Sequence, residues 1–92
     1  MLKIYKVFDQ SMEPCLHNGD YVLASRLHGR LRKGDIVIVR HPIKRMTLVK
    51  RISSIDGNTI FVTGDNIAFS EDSRSFGPVS GAAVLGKVIA KA

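Results

Sequence analysis

The sequence of 92 residues has one cysteine, few aromatic residues and no long apolar run. Its single cysteine, Cys15, cannot form a disulfide within the chain, which fits a reducing compartment. The apolar runs are far shorter than the roughly 20 residues that a membrane-spanning helix needs, and Lys3 and Lys6 interrupt the N-terminal stretch. We therefore expect a soluble, cytoplasmic protein without a transmembrane segment or a signal peptide.

Apolar residues make up 45% of the chain, which suffices for one hydrophobic core at this length. We expect a single domain over residues 1–92. Apolar, β-branched stretches alternate with Gly, Asp and Asn, and this pattern predicts an all-β, mainly antiparallel fold. The stretches are residues 2–8, 20–25, 35–40, 46–54, 58–63 and 84–90.

Turn residues predict how some of these stretches connect. Asp56-Gly57-Asn58 is typical of a tight hairpin turn, so strands 46–54 and 58–63 should pair antiparallel. Residues 64–81 are rich in Ser, Asp, Gly and Asn and predict a long ordered loop, which in a small domain is usually functional or mobile. We expect helix only as one short turn near Ser11.

The net charge of +6 is concentrated in the middle of the chain. Residues 26–51 contain nine basic residues and one acidic residue, Asp35. Such a segment can meet nucleic acid, an anionic membrane or an acidic partner. No aromatic residue interleaves with the basic ones, and this does not favour a nucleic-acid interface.

Ser11 and Lys50 suggest catalytic chemistry. In a strand Leu48, Lys50 and Ile52 point to one face, so we expect Lys50 to be partly buried. Burial disfavours the ammonium form and lowers the lysine pKa, as an amine general base requires near neutral pH. A serine hydroxyl needs such a base to become a nucleophile, and Ser11 opens a Ser-Met-Glu-Pro run. The pair therefore suggests a serine/lysine protease.

Four segments in this order resemble the conserved boxes of the signal peptidase I family of serine/lysine proteases. A single Ser-Met-x-Pro run recurs by chance, whereas four boxes in order are specific. The resemblance implies a small signal-peptidase-like catalytic β domain that needs no cofactor. The segments are Ser11-Met12-Glu13-Pro14 with Asn18-Gly19-Asp20-Tyr21-Val22, Lys33-Gly34-Asp35-Ile36-Val37, Val49-Lys50-Arg51-Ile52, and Gly64-Asp65-Asn66 with Ser70-Glu71-Asp72-Ser73-Arg74 and Gly77-Pro78-Val79.

Carried over position by position, the resemblance makes Ser11 the nucleophile and Lys50 its general base. The backbone N–H of Ser11 would hold the oxyanion of the tetrahedral intermediate. Ser70 would orient the Lys50 ammonium by a hydrogen bond, as an aspartate orients histidine in the commoner triad. Asp72 and Arg74 would form a supporting salt bridge that holds the loop carrying Ser70.

Two positions depart from the family pattern. The family often has a serine or glycine two residues before the nucleophile, and such a serine can donate a second hydrogen bond to the oxyanion, but this chain has Asp9. An ionised carboxylate repels a developing oxyanion, so we expect Asp9 to point away or the second donor to come from elsewhere. Cys15 stands where the family usually has threonine, and we expect it to be a small buried hydrophobe.

The compact chain and its segments 39–42 and 72–79 are similar to nickel-type superoxide dismutase maturation proteases. This likeness implies a soluble endopeptidase that removes an N-terminal propeptide from a precursor protein, here the nickel dismutase. The precursor would bind as an extended peptide, and Met12 and Pro14 beside the nucleophile would contact it.

Nickel in this substrate raises the question of metal binding by the chain itself. The spacing of His17, His28 and His41 matches no compact ligand motif, and Cys15 with His17 is only a pair. We therefore expect surface or turn histidines and no bound metal.

Three other functions stay open. The chain could be the catalytic core of a membrane-anchored signal peptidase I, with residues 26–51 near the membrane, although a strand directly after Met1 argues against truncation. A self-cleaving repressor-type relative needs a cleavable segment upstream of Ser11, and few residues precede it. A small basic β-barrel that binds nucleic acid would explain residues 26–51 but not Ser11, Lys50 or the box around Ser70; its affinity would fall steeply with salt.

Overall fold

The computed structural model describes residues 1–27 and 29–92 and shows a mainly β protein. In these residues the strands are β1 (Leu2–Lys6), β2 (Tyr21–Ser25), β3 (Ile36–Arg40), β4 (Thr47–Asp56), β5 (Thr59–Thr63), β6 (Val79–Ser80) and β7 (Val84–Lys91). They form one sheet in the order β1-β2-β7-β3-β4-β5-β6, with antiparallel pairing. One α-helix, α1 (Ser73–Phe76), and two 3-10 helices (Ile67–Phe69 and Gly81–Ala83) complete the described elements. The predicted all-β class is confirmed.

The predicted stretches correspond to every strand except β6. This strand consists of only two residues inside the polar stretch 64–81, so it lacks the alternation that marks a strand. The same stretch contains α1 and the first 3-10 helix and is therefore more structured than the predicted loop. Near Ser11, residues 11–15 form a turn, and the N–H of Leu16 donates to the carbonyl of Met12 at 2.9 Å.

The predicted hairpin between β4 and β5 is confirmed. Asp56 pairs with Thr59, which leaves Gly57 and Asn58 as a two-residue loop. Gly57 has φ of 61°, a conformation that glycine adopts without the steric cost of a Cβ. The local turn residues thus set the pairing next to the loop, and the register shifts between Ile52 and Ser54, before β4 reaches Lys50.

Strand β3 contributes to hydrophobic clusters on both of its faces. Val37 and Val39 pack in one cluster, and Ile38, which alternates with them, packs in the other. The second cluster includes Met12 and Leu16, which anchor the turn that begins at Ser11. The first cluster contains Val37, Val39, Leu48, Ile52, Ile60, Val62 and Val79; the second contains Val7, Met12, Leu16, Val22, Ala24 and Ile38.

The basic segment 26–51 is divided in the fold. One group of exposed basic side chains ends at Lys33, before β3, and the other begins at Arg40, the last residue of β3. Roughly 15 Å of extended chain separates the two groups. Lys50 is buried, and Arg51 pairs with Asp65 through two hydrogen bonds of 2.8 Å. The segment therefore does not form one continuous cationic surface.

None of the helices in the described residues has the length and apolar character needed to cross a membrane.

Candidate active site

Lys50 is almost completely buried in the middle of β4. Leu48, Lys50 and Ile52 are 7%, 1% and 1% exposed, so the predicted shared face is confirmed and the burial of the lysine exceeds the expected partial burial. This desolvation lowers the pKa of Lys50, although the negative charges of Asp9, Asp72 and Glu71 act in the opposite direction. The amine is thus shifted towards the neutral form that can accept a proton.

A chain of hydrogen bonds directs the Lys50 amine. Lys50 Nζ donates to Ser70 Oγ at 3.0 Å, and the Ser70 hydroxyl donates to Asp72 Oδ2 at 2.7 Å. Because Ser70 gives its proton to the carboxylate, its oxygen faces Lys50 as an acceptor. Ser70 therefore lies where the family resemblance placed it.

Asp72 is the centre of this network and is fully buried. Besides Ser70, its carboxylate accepts from the Gly64 N–H at 2.9 Å and from the N–H, Nε and Nη2 of Arg74 at 3.1, 2.9 and 2.8 Å. Burial alone would raise its pKa, but the hydrogen bonds from Arg74, Gly64 and Ser70 outweigh it and hold the pKa of Asp72 well below its usual range. The predicted salt bridge with Arg74 is present, and the carboxylate stays ionised.

Ser11 and Lys50 line the same cleft, which has a volume of about 450 Å³. The cleft runs between β1 and the first half of β4. A larger cavity of about 880 Å³, beside Gly29–Arg32 and the β4–β5 hairpin, contains none of the predicted catalytic residues, so we place the site in the smaller one. The described residues that line it are Lys3, Ile4, Tyr5, Lys6, Phe8, Asp9, Ser11, Met46, Thr47, Leu48, Val49 and Lys50.

The segment after β5 holds the nucleophile turn in place. Asn66 donates its backbone N–H to the Ser11 carbonyl at 2.8 Å and its side-chain amide to the Gln10 carbonyl at 3.1 Å. Gly64 lies so close that a Cβ there would be 2.6 Å from the Ser11 carbonyl oxygen and would overlap Ser70 Oγ. The resemblance included this Gly-Asp-Asn box but predicted no role for it. Its glycine could have indicated a close approach of two backbone segments, because glycine has no Cβ.

Asp9 takes a position that sequence reasoning did not predict. Its carboxylate Oδ1 accepts the backbone N–H of Ser11 at 2.8 Å, and Asp9 also lines the cleft. Of the two expectations for Asp9, that it points away is wrong, because its carboxylate bonds to the Ser11 N–H; that a second oxyanion donor comes from elsewhere stays a prediction. Asp9 has a φ of 71°, a conformation that aspartate tolerates better than most residues. The N–H predicted for the oxyanion is therefore occupied by a carboxylate.

Met12 and Cys15, both near the nucleophile, lie in environments other than those expected. Met12 is 1% exposed and packs in the core, and neither it nor the exposed Pro14 is among the described residues that line the cleft. Cys15 was expected to be buried, and this is wrong: it is exposed because the turn directs Leu16 into the core instead. Direct contact of Met12 with a substrate therefore has no support in this geometry.

The histidines differ from one another in environment. Of the expected surface or turn positions, His17 has an exposed one, whereas His41 lies in the β3–β4 loop but is buried. His41 Nε2 lies 2.9 Å from Glu71 Oε1, and its Nδ1 accepts the backbone N–H groups of Ile43 and Lys44. It thereby ties the β3–β4 loop to the segment that carries Ser70. His28 lies outside the described residues.

Comparison with known proteins identifies similar chains. The mitochondrial inner membrane protease subunit 1 of Schizosaccharomyces pombe is 36% identical over 105 residues, which cover 88% of this chain and 67% of that protein. The mitochondrial ATP-independent inner membrane protease subunit 1b of Arabidopsis thaliana is 33% identical, over 89% of this chain and 64% of that protein. The signal peptidase I of Bacillus licheniformis is 33% identical over 68% of this chain and 36% of its own length.

The chain thus spans about two thirds of the mitochondrial relatives and about a third of the bacterial one. The model of the family described as "Signal peptidase, peptidase S26" matches residues 1–60 and 53–92, which together cover the whole chain of 92 residues. The mainly antiparallel sheet and the order of the sequence boxes agree with this match. The chain belongs to the signal peptidase family, peptidase S26.

Proposed function

We propose that this chain is the catalytic β domain of a serine peptidase that uses a Ser11/Lys50 dyad to cleave precursor proteins. The observation that carries the proposal is the buried Lys50 amine, bound to Ser70 and lining the same cleft as Ser11. A lysine in such a place is costly to bury, and titratable groups in a cleft whose pKa is shifted by desolvation are typical of active sites. Membership of a peptidase family supports the same reaction class.

In this mechanism neutral Lys50 accepts the proton of the Ser11 hydroxyl while Oγ attacks the scissile carbonyl carbon. The tetrahedral intermediate collapses when the Lys50 ammonium donates that proton to the leaving amine. A water molecule, deprotonated by Lys50, then attacks the acyl ester and releases the second product as a carboxylic acid. Ser70 accepts a hydrogen bond from the lysine throughout and keeps Nζ directed into the site.

The substrate would bind as an extended peptide beside β1. This strand pairs only with β2 and lies at the end of the described sheet order, so its other edge is available for main-chain hydrogen bonds. Ile4, Phe8 and Met46 are exposed and line the cleft. We therefore expect small or apolar side chains before the scissile bond.

The relatives bear on where such a substrate is met. Several are named as mitochondrial inner membrane proteases and others as signal peptidase I, so we infer that this chain acts at a membrane rather than free in the cytoplasm. The exposed Arg40, Ile43 and Arg45 lie next to the cleft wall at Met46 and suit an anionic membrane surface. None of the relatives named above is a dismutase maturation protease, so the nickel dismutase precursor stays a prediction.

A cleavage assay tests this proposal. Wild type, Ser11→Ala and Lys50→Ala are incubated with a signal-peptide-bearing precursor and with a nickel dismutase precursor, with and without anionic vesicles, and product N-termini are read by mass spectrometry. We expect specific cleavage that Lys50→Ala lowers by roughly 10²–10⁴-fold. Ser11→Ala should abolish it, because alanine has no oxygen to form the acyl-enzyme. The rate should rise with pH at values below the usual lysine pKa, because the lowered pKa of Lys50 lets the ammonium lose its proton at a lower pH.

The controls are Ser80→Ala and Lys33→Ala, which remove the same side-chain types at exposed positions. Both should cleave like wild type. Specific cleavage that persists in Ser11→Ala would refute the dyad, and the substrate that is cut decides between a signal-peptide and a dismutase precursor.

A further inference from the structure

The Asp9 carboxylate occupies the N–H group that a substrate oxyanion would need. Asp9 Oδ1 lies 2.8 Å from Ser11 N, a distance typical of a hydrogen bond to a charged acceptor. We propose that the Ser11 N–H is a carboxylate-binding site, filled by Asp9 in the resting protein and by the new C-terminal carboxylate of the cleaved peptide when Asp9 withdraws. The second half of this inference rests on the proposed function, because the cleaved peptide arises there.

The backbone presents Asp9 for this contact. Asp9 is the non-glycine residue that has a positive φ within the described part of the chain, and its own N–H donates to Asn18 Oδ1 at 2.9 Å. Aspartate tolerates this conformation better than most residues, because its short polar side chain can bond to nearby backbone. Asp9 lies only two positions before Ser11, so its carboxylate stays close to the nucleophile turn.

Lys50 shares the cleft with the Asp9 carboxylate. Asp9 and Lys50 line the same cleft, and the Asp9 charge favours the ammonium form of Lys50. A carboxylate here therefore meets a backbone donor on one side and the Lys50 amine in the same cleft. The arrangement opposes catalysis in two ways: it fills the oxyanion site, and it favours the Lys50 form that cannot accept a proton.

Hydrolysis places a second carboxylate at the same point. Water adds to the acyl carbon and gives one proton through Lys50 to Ser11 Oγ as the bond to that oxygen breaks, and the carboxylic acid so formed loses its other proton to solvent. The released peptide then ends in a carboxylate, and one of its oxygens descends from the oxyanion beside the Ser11 N–H. Product and Asp9 are therefore competing ligands of one site, so removal of Asp9 should accelerate turnover and strengthen product inhibition.

Binding can be measured without catalysis. Ser11→Ala keeps the backbone N–H, so NMR of the residue-11 amide in Ser11→Ala and in Ser11→Ala/Asp9→Gly reports its acceptor directly. The probes are N-acetyl-Ala-Gly-Ala as the free acid and as the C-terminal amide. We expect the second substitution to shift the amide signal, and the acid to bind about tenfold more tightly once Asp9 is gone, while the amide shows no such gain.

Two further variants sharpen this test. Asp9→Asn keeps a neutral acceptor and should give an intermediate affinity, since hydrogen bonds to charged acceptors are the stronger ones. Asp56→Asn removes the same charge at the exposed β4–β5 turn and should change nothing. Equal affinity for the acid with and without Asp9, or equal binding of acid and amide, would overturn the proposal and leave Asp9 as an element of the local turn. A protein without peptidase activity would still give a clear answer, so the two proposals fail separately.

Discussion

Replacing Asp72 by asparagine tests the network that supports the Lys50 amine. Oδ1 of Asp72 accepts two hydrogen bonds from Arg74, and Oδ2 accepts three, from Gly64, Ser70 and Arg74. Asparagine turns one of these oxygens into an NH2 group. Whichever way the amide is placed, at least two of the present donors then face a donor.

The magnitude follows from burial. Removing one partner of a buried ion pair costs about 3–5 kcal/mol, and the half-exposed Arg74 side chain can regain water, which favours the lower end of that range. A domain of 92 residues has a free energy of unfolding of roughly 5–14 kcal/mol. The variant should therefore still fold, with a urea midpoint lower by about 1–3 M.

The assay is urea unfolding of wild type and Asp72→Asn, with Asp56→Asn as the exposed control. Because the pKa of Asp72 is depressed in the folded state, its contribution is fully present above the usual aspartate pKa of about 4 and is lost as the pH falls further. The difference between wild type and variant should shrink accordingly in acid. A midpoint within about 0.3 M of wild type near neutral pH would refute the reasoning.

Two further predictions concern Lys50 and Gly64. Lys50→Met should be more stable than wild type near neutral pH, because burial lowers the pKa of Lys50 and the unfolded chain therefore holds the proton more tightly. The urea midpoints of the two proteins, measured up to about pH 10, should converge as the pH approaches the usual lysine pKa. A difference that stays constant with pH would contradict this. Gly64→Ala would place a Cβ 2.6 Å from the Ser11 carbonyl oxygen. We expect this contact to displace the nucleophile turn and to lower kcat at least about tenfold. Unchanged kcat in the cleavage assay would show that the turn can shift without loss of activity.

Much of the fold could be predicted because it follows from local patterns. The Asp-Gly-Asn turn set the β4–β5 hairpin, and period-2 alternation placed Lys50 on the face of Leu48 and Ile52. Strand β6 was missed because two residues carry no alternation. Met12 was predicted to contact the substrate because it follows Ser11 in the sequence, whereas the turn directs its side chain into the core.

By itself, the sequence determined an all-β domain with a lysine on a buried strand face and a serine in a turn, since alternation and turn chemistry act over a few residues. Only the tertiary structure decided that Ser11 and Lys50 line one cleft, that Asp72 supports Ser70, and that Asp9 binds the Ser11 N–H. The first two depend on how the segment after β5 folds back onto β4 and the nucleophile turn, and the last is a turn contact made by a residue with a positive φ. Ser11 and Lys50 lie far apart in sequence and no local pattern relates them, whereas the Ser70–Asp72 and Asp9–Ser11 hydrogen bonds each span only two residues.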